Sequence, residues 1–209
     1  WYRQRKLASH EFSIRSLRSF MTEAFKTRGA ALGRIVAASA ASGSLLDVQA
    51  LFARYTLDAI GHIGFGVTIG CLEDGEAARA FSAAFDAAQQ SCAWRFLDPF
   101  WRLKKLLRLG NERDLHRALV DVNDFASRVV AERRTLSADD LGSRGDLLSR
   151  FMLKGFGDGE LRDVVINFVI AGRDTTAILL TWAAYELARH PEAVAALRDE
   201  ARAAAAGDE

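Results

Sequence analysis

An acidic residue and a hydroxyl stand side by side in an apolar stretch of this chain. The neighbours of Asp174 three and four positions away are Ile170, Ala171, Ala177 and Ile178. A helix through this stretch therefore offers the carboxylate no partner, and it needs one from another element, or water, or a bound proton. Thr175 follows directly. A threonine hydroxyl in a helix can bond the carbonyl one turn back and open the hydrogen-bond ladder.

The element that holds these two residues is predicted to be one long helix, at about residues 159–190. Asp158 is the predicted N-cap, because an aspartate can accept hydrogen bonds from the first free backbone amides. Arg189 and His190 suit the negative end of the helix dipole, and Pro191 would open the next helix. About 30 residues at roughly 1.5 Å each span about 45 Å, the width of a domain.

The middle of this helix is its weak point. An apolar stripe runs through the first half and comprises Leu161, Val164, Val165 and Phe168. Continued at the helical repeat, the stripe meets Gly172 and Thr175, which are poor helix formers and predict a kink. In a generic helix, Arg173 and Asp174 would lie on a solvated flank and the threonines would pack. The coincidence of a weak helix, an unpaired acid and a hydroxyl favours a functional site instead.

Residues 171–176, AGRDTT, resemble the (A/G)Gx(D/E)T(T/S) motif in the long central I helix of the cytochrome P450 haem-thiolate monooxygenases. The flanking LRDVVINFVI and YELARHPE are similar to that family as well. The resemblance implies that Gly172 thins the helix over haem so that dioxygen fits, and that Ala171 lines the same groove. It implies that Asp174 and Thr175 form the catalytic proton-delivery pair. The implied cofactor is haem b, with O2 as co-substrate and electrons from NADPH through a reductase.

Trp1 and Arg5 are spaced i, i+4 and would share one helix face. An indole N–H beside a guanidinium could hold a carboxylate, because the arginine donors form a rigid fork. The alternative is a solvated basic helix end. The pair resembles the WxxxR of the family's C helix, which implies that Trp1 and Arg5 contact a haem propionate.

Residues 76–92 are predicted to form a helix that places Phe81 and Phe85 one turn apart. Core packing is the simple interpretation of this pair. The segment resembles the family's F helix, part of the roof over the substrate, which makes Phe81, Phe85 and Gln89 candidates for lining the pocket. On the long helix, Phe168 is a further candidate for substrate binding.

Further helices are predicted over residues 30–41, 45–63, 111–134, 146–154 and 191–205. Gly43 would end the first of these, and Gly64 and Gly66 would form a tight turn after the second. The chain is therefore expected to be mainly all-α. By resemblance, residues 1–209 are expected to be one partial cytochrome P450 domain, incomplete at both ends and covering about the C to J helices.

Charge and composition limit the classes of partner that the chain is expected to bind. The net charge is +1 and 50% of the residues are hydrophobic, which supplies material for a core and no bulk attraction to nucleic acid. No run of 18 apolar residues is present, so no membrane span is expected. Residues 94–108 mix aromatic and basic side chains, and their resemblance to the family's F–G region implies a peripheral membrane contact. The resemblance places the full-length parent at the cytosolic face of the endoplasmic reticulum membrane.

Cys71 and Cys92 form neither a disulfide framework nor a metal-binding cluster, and no metal ligand is assigned. Neither resembles the family's FxxGxRxCxG loop, whose cysteine holds the haem iron. Two matches to the family's ExxR, at 76–79 and 186–189, lie in the wrong helices. We therefore expect the axial cysteine to lie outside this chain, and the chain alone to be inactive.

The function implied by the resemblance is hydroxylation of a small hydrophobic substrate. AGRDTTA, the preceding LRDVVINFV and the upstream RYTLDAIGHIGFG are most similar to the fatty-acid ω-hydroxylase branch of plants and algae. The competing hypothesis is a free-standing helical protein without haem, used for binding or scaffolding. A free-standing protein should have no exposed apolar face on the long helix, so this face distinguishes the two.

Overall fold

Helices make up most of the chain that the computed structural model describes, which is residues 5–6, 21–144 and 146–207. They are α1 (Thr22–Ser42), α2 (Val48–Phe65), α3 (Glu76–Trp94), α4 (Trp101–Leu107), α5 (Asn111–Arg134), α6 (Ala138–Ser143), α7 (Leu147–Leu153), α8 (Asp158–Gly172), α9 (Asp174–Arg189) and α10 (Pro191–Gly207). These ranges contain no strand. The predicted all-α fold is confirmed.

The main core lies between α2, α3, α5, α7 and α8. α3 packs along α5, and α8 contacts both α2 and α5. Buried side chains of this core come from all five helices: Leu57, Phe65, Phe81, Phe85, Val129, Val130, Leu148, Phe151, Leu161 and Val165. Each such side chain contributes about 1.5–3 kcal/mol when it leaves water. The first half of the long helix is therefore anchored through the apolar stripe that its sequence predicts.

Residues 22–42 form a single helix, α1. The prediction of a separate helix over residues 30–41 is wrong at its start, because the helix runs through Gly29 without interruption. A glycine inside a helix costs only about 1 kcal/mol relative to alanine. The packing of Ala31 with Leu51 of α2 offsets that cost. The predicted end is confirmed, since Gly43 caps the helix in the left-handed region at φ 68°.

The end of α2, the end of α5 and the start of α7 meet at a buried ion pair. Gly66 caps α2 at φ 60°, and an added Cβ would lie 2.7 Å from Arg133 Nη2 and 2.9 Å from Asp146 Oδ2. Arg133 donates to the carbonyl oxygen of Phe65, and its Nη1 lies 3.3 Å from Asp146 Oδ2. Asp146 Oδ1 also accepts from the backbone N–H of Ser149 at 2.9 Å and so caps α7. Burial lowers the pKa of Arg133, and the Asp146 carboxylate opposes that shift.

The long helix is present and is divided into α8 and α9 by Arg173, which has φ −78° and ψ −70°. The break confirms the predicted weak point. The predicted N-cap is wrong, because the cap is Gly157 and Asp158 is already helical. The backbone N–H of Gly157 donates to Glu160 Oε2 at 3.0 Å, so the glutamate satisfies this end of the helix. Asp158 instead accepts from Arg134 Nε at 2.8 Å.

Candidate active site

The break in the long helix lies where a hydroxyl turns back onto the backbone. Thr175 Oγ1 donates to the carbonyl oxygen of Ala171 at 2.7 Å, the type of bond predicted from the sequence. Gly172 faces α2, and an added Cβ would lie 2.9 Å from Cδ1 and 3.0 Å from Cγ1 of Ile60. Glycine is therefore needed here for the close approach of α8 to α2. The role of Gly172 beside a cofactor stays a prediction.

Arg173 is the centre of a polar cluster between α3 and the long helix. Its side chain is only 4% exposed. Its Nη1 and Nη2 donate to Oδ1 and Oδ2 of Asp86 at 2.5 and 3.1 Å, and Nη2 also donates to Ser82 Oγ at 3.1 Å. The guanidinium lies 5.4 Å from the ring centre of Phe85. The solvated-flank alternative is therefore wrong for Arg173, because α3 covers it.

The partner that Asp174 requires comes from α3. Asp174 Oδ2 accepts from Gln89 Nε2 at 2.6 Å, and Oδ1 accepts from Arg173 Nη1 at 3.1 Å. The Asp174 side chain is 31% exposed, so it reaches solvent while both of its oxygens are held. Gln89, predicted from the sequence to line a pocket, is thus a direct partner of the candidate acid.

Sequence reasoning missed Asp86 and Ser82. Ser82, Asp86 and Gln89 are spaced i, i+4, i+7 and form a polar line on a helix otherwise rich in alanine and phenylalanine. This spacing is the signal that could have found them. Of the three, only Asp86 can neutralise an arginine. The identity of that arginine could not follow from local sequence, because Asp86 and Arg173 lie 87 positions apart.

An open groove of about 510 Å³ lies over Asp174, between the start of α2, α3 and the start of α9. Its polar lining residues are Asp47, Gln49, Asp86, Gln89, Arg173 and Asp174. A smaller cavity of about 300 Å³ lies beside the same cluster and is lined in part by Ser82, Asp86 and Arg173. The groove is open and Asp174 is partly exposed, so the candidate acid has contact with solvent from this side.

The second half of the long helix carries an exposed apolar stripe. It consists of Ile178, Leu179, Trp182 and Tyr185, each about half exposed or more. Ala171 and Thr175 are exposed and, at i, i+4 and i+7 from Ala171 through Ile178, lie on the same side. Contiguous exposed apolar side chains mark a surface that another element covers. This face counts against the hypothesis of a free-standing helical protein.

The remaining predicted site residues lie at three different places. Phe81 and Phe85 are buried in the core, where Phe81 stacks on Phe125 with the ring centres 3.8 Å apart. Their placement fits the packing alternative, and contact with substrate stays a prediction. Phe168 is partly buried against the same core. Arg5 is exposed, whereas Trp1 lies outside the described residues, so the propionate contact of this pair also stays a prediction.

Comparison with known proteins decides the family. The sequence model described as cytochrome P450 matches residues 1–209. The chain belongs to the cytochrome P450 family. It is 39% identical over 203 residues to cytochrome P450 704B1 of Arabidopsis thaliana, covering 88% of this chain and 39% of the relative. It is 38% identical over 207 residues to cytochrome P450 94C1 of the same plant, covering 96% of this chain and 41% of that relative. The chain thus spans about two fifths of the length of these P450 relatives.

Solved P450 structures agree with this assignment. The heme domain of cytochrome P450DA is 25% identical and superposes with a TM-score of 0.71, covering 90% of this chain and 40% of that one. A mutant of the same heme domain gives a TM-score of 0.69 over 91% of this chain. The helices described above therefore have the arrangement of part of the P450 fold, and the long broken helix corresponds to its central I helix.

The residues present fit one face of the haem that characterises P450 proteins. The exposed stripe of α9 is apolar and has the Thr175 hydroxyl beside it. It therefore suits a flat apolar macrocycle. Neither cysteine lies on this stripe. Burial, followed by the nearby Asp58 carboxylate, raises the pKa of Cys71 to about 12, so its thiol stays protonated at neutral pH. Cys92 lies on the exposed surface of α3.

Taken as one segment, Asp158–Arg189 is long and apolar enough to cross a membrane, with a mean hydropathy of 1.5 over its most apolar 18 residues. The segment contains no uninterrupted run of 18 apolar residues, because Arg173 and Asp174 lie at its middle, and the expectation of no membrane span stays a prediction. In this P450 chain the segment is the central helix of a folded domain. Its first half packs on the core, and Arg173 at its middle is paired with Asp86 of α3.

Proposed function

We propose that this chain is the central part, about the C to J helices, of a longer haem-thiolate monooxygenase that hydroxylates a small hydrophobic substrate. The observation that carries the proposal is the position of Asp174 and Thr175. They lie at a helix break between a solvent-open polar groove and an exposed apolar stripe. Bound haem b would supply the oxygen chemistry, with O2 as co-substrate and electrons from NADPH through a reductase.

In this proposal Asp174 and Thr175 are the catalytic residues and move protons. Asp174 exchanges protons with water in the groove, because its carboxylate is partly exposed there. Thr175 Oγ1 passes a proton toward the stripe, since a hydroxyl both donates and accepts. Its hydrogen bond to the Ala171 carbonyl oxygen orients that hydroxyl. Ala171 is small and exposed on the same side of the helix as Thr175, which leaves room there for a bound cofactor and dioxygen.

At the start of the chain, Trp1 and Arg5 are proposed to anchor a haem propionate. The support is chemical, since an indole N–H and a guanidinium one helical turn apart present several donors to one carboxylate. Removing the charge by Arg5→Met should weaken haem retention in the full-length protein. Haem loss to apomyoglobin, followed spectroscopically, tests this, and an unchanged rate would remove Arg5 from the site.

The proposed substrate is a fatty acid, on the resemblance of the segments around residues 160–177 and 54–66 to the ω-hydroxylase branch. Phe168 is the proposed substrate contact on the long helix, one turn before Ala171 and only partly buried. Phe81 and Phe85 are proposed to shape the pocket from behind, by holding α3 against the core. Substrate-induced spectral titration with fatty acids of increasing chain length tests this class directly.

The segment between α3 and α5 is proposed to touch the cytosolic face of the endoplasmic reticulum membrane. Its exposed apolar side chains are Trp94, Phe96, Leu97, Phe100, Leu103, Leu106, Leu107 and Leu109. Basic residues of α4, including Lys104 and Lys105, lie among them and suit anionic headgroups. Phe96→Ser with Leu106→Ser should reduce sedimentation with anionic vesicles if this surface binds them.

The decisive test of the catalytic proposal is Asp174→Asn in the full-length enzyme. Loss of the acid should lower turnover about a hundredfold, the lower part of the usual range for general acid–base catalysis. Substrate affinity should be retained, because asparagine keeps the size of the side chain. Asp163→Asn is the matched control, since Asp163 is exposed on the same helix. Wild-type turnover in Asp174→Asn would refute the proton-delivery role.

A further inference from the structure

Gln89 makes the shortest contact to the candidate acid, and the proposed function assigns it no role in proton delivery. We propose that Gln89 is a positioning residue for Asp174, assisted by the Asp86–Arg173 ion pair, and that it holds the carboxylate toward the groove above them. This inference rests on the proposed function of Asp174. It concerns the orientation of the carboxylate.

The two contacts of the Asp174 carboxylate differ in length and in origin. Asp174 Oδ2 lies 2.6 Å from Gln89 Nε2, whereas Oδ1 lies 3.1 Å from Arg173 Nη1. Arg173 is itself fixed by both oxygens of Asp86 and by Ser82. The guanidinium is therefore placed by α3 and not by Asp174. The shorter bond, from Gln89, determines the direction in which the Asp174 carboxylate points.

The charges around Asp174 also favour a neutral positioning residue. The cluster contains two carboxylates, Asp86 and Asp174, and the single guanidinium of Arg173. Because Asp86 neutralises Arg173 through two contacts, a proton on Asp174 leaves a neutral cluster and no unpaired buried charge. Gln89 is neutral, and its contact therefore orients the Asp174 carboxylate without changing the charge of the cluster.

The carboxylate that Gln89 contacts is open to solvent. The groove of about 510 Å³ is lined by Gln89, Arg173 and Asp174, and Asp174 is partly exposed into it. Within the described part of the chain, the buried Nε of Arg173 has no hydrogen-bond partner. The neighbouring cavity of about 300 Å³ is also lined by Arg173 and is large enough for ordered water, which would satisfy this donor.

The test compares Gln89→Leu with Gln90→Leu in the full-length enzyme. Leucine removes the donor at similar size, and Gln90 is an exposed residue at the next position of the same helix. Gln89→Leu should lower kcat by up to about a hundredfold, the loss that follows a small misplacement of a catalytic group. Its KM should stay near the wild-type value, and Gln90→Leu should leave both parameters unchanged. Equal kcat in the two variants would overturn the proposal.

A second readout does not depend on turnover. The carboxylate bands of Asp174, isolated as the infrared difference between wild type and Asp174→Asn, should shift in Gln89→Leu and not in Gln90→Leu. The double variant Asp174→Asn with Gln89→Leu should lose no more activity than Asp174→Asn alone, because a positioning residue acts through the acid. An unshifted band, or additive losses, would overturn the proposal.

The two variants distinguish a failure of the positioning role of Gln89 from a failure of the proposed function of Asp174. If Asp174→Asn is impaired while Gln89→Leu is normal, Asp174 keeps its role and only the positioning role of Gln89 fails. If Asp174→Asn has wild-type turnover, the proposed function of Asp174 fails and the inference fails with it.

Discussion

Asp174 and Thr175 are adjacent in the sequence, yet their side chains are held by different elements. Asp174 Oδ2 accepts from Gln89 Nε2 of α3 at 2.6 Å, whereas Thr175 Oγ1 donates to Ala171 of its own helix at 2.7 Å. Successive residues of a helix point about 100° apart. Asp174 lines the groove, whereas the Thr175 hydroxyl is turned back onto its own helix. The two side chains proposed to carry protons are therefore fixed independently of each other.

Thr175→Ala tests the hydroxyl. In the full-length enzyme we expect NADPH consumption to continue while hydrogen peroxide is released in place of part of the product, because the hydroxyl proposed to pass the proton is gone. Product formed per NADPH should fall severalfold. Thr176→Ala is the control, since Thr176 is exposed at the next position of the same helix. Unchanged coupling of NADPH to product in Thr175→Ala would exclude the assigned role.

Gly172→Ala tests the close approach of α8 to α2. The new Cβ would lie 2.9 Å from Ile60 Cδ1, and we expect a loss of about 1–3 kcal/mol in the free energy of unfolding. Adding Ile60→Val should recover part of the loss, because it removes the Cδ1 atom. Gly159→Ala is the control, as an added Cβ there meets nothing within 4 Å. Urea denaturation gives the values, and equal effects at the two glycines would contradict the packing argument.

Asp146→Asn tests the buried ion pair with Arg133. Asparagine still accepts the hydrogen bond that caps α7, so the substitution isolates the loss of charge. Leaving the Arg133 guanidinium buried without its counter-charge should cost about 3–5 kcal/mol. Asp139→Asn removes a charge at an exposed position and should change stability by less than about 0.5 kcal/mol. Comparable unfolding midpoints for the two variants would show that the pair contributes little.

Cys71 and Cys92 should differ in reactivity. Burial raises the pKa of Cys71 to about 12, so at pH 8 its thiol is almost entirely protonated and unreactive. Cys92 is exposed. Iodoacetamide should therefore modify Cys92 in the folded chain, and Cys71 only after denaturation, as mass spectrometry of the peptides would reveal. Modification of Cys71 under native conditions would contradict its burial.

The same thiol predicts a dependence of stability on pH. The unfolded chain releases the Cys71 proton near the ordinary thiol pKa of 9.0, while the folded chain keeps it up to about pH 12. The unfolded state therefore binds fewer protons in this range, and stability should fall between about pH 9 and 12, by at most about 1.4 kcal/mol per pH unit from this group. Cys71→Ala should flatten that fall, and an equally steep fall in the variant would assign it to other groups.

Local sequence was sufficient to predict the long helix, the break in it and the family of the chain. The apolar stripe of Leu161, Val164 and Val165 is buried as its spacing predicts, and the hydroxyl of Thr175 bonds one turn back as its residue type predicts. These features depend on neighbours within one or two helical turns. The N-cap is Gly157 and not Asp158, because Glu160 satisfies the backbone N–H of Gly157 from within the same turn. The pairing of Asp158 with Arg134 of α5 is a contact that local spacing does not reveal.

The sequence by itself determined that Asp174 lacks a partner on its own helix, and only the tertiary structure decided which residues supply one. Gln89 lies 85 positions away and Asp86 reaches the cluster through Arg173, 87 positions away. A long-range contact of this kind depends on how α3 lies against α9, which helical periodicity does not encode. For the same reason Phe85 and Arg173, which look like a pocket residue and a solvated charge in the sequence, are buried together in the structure.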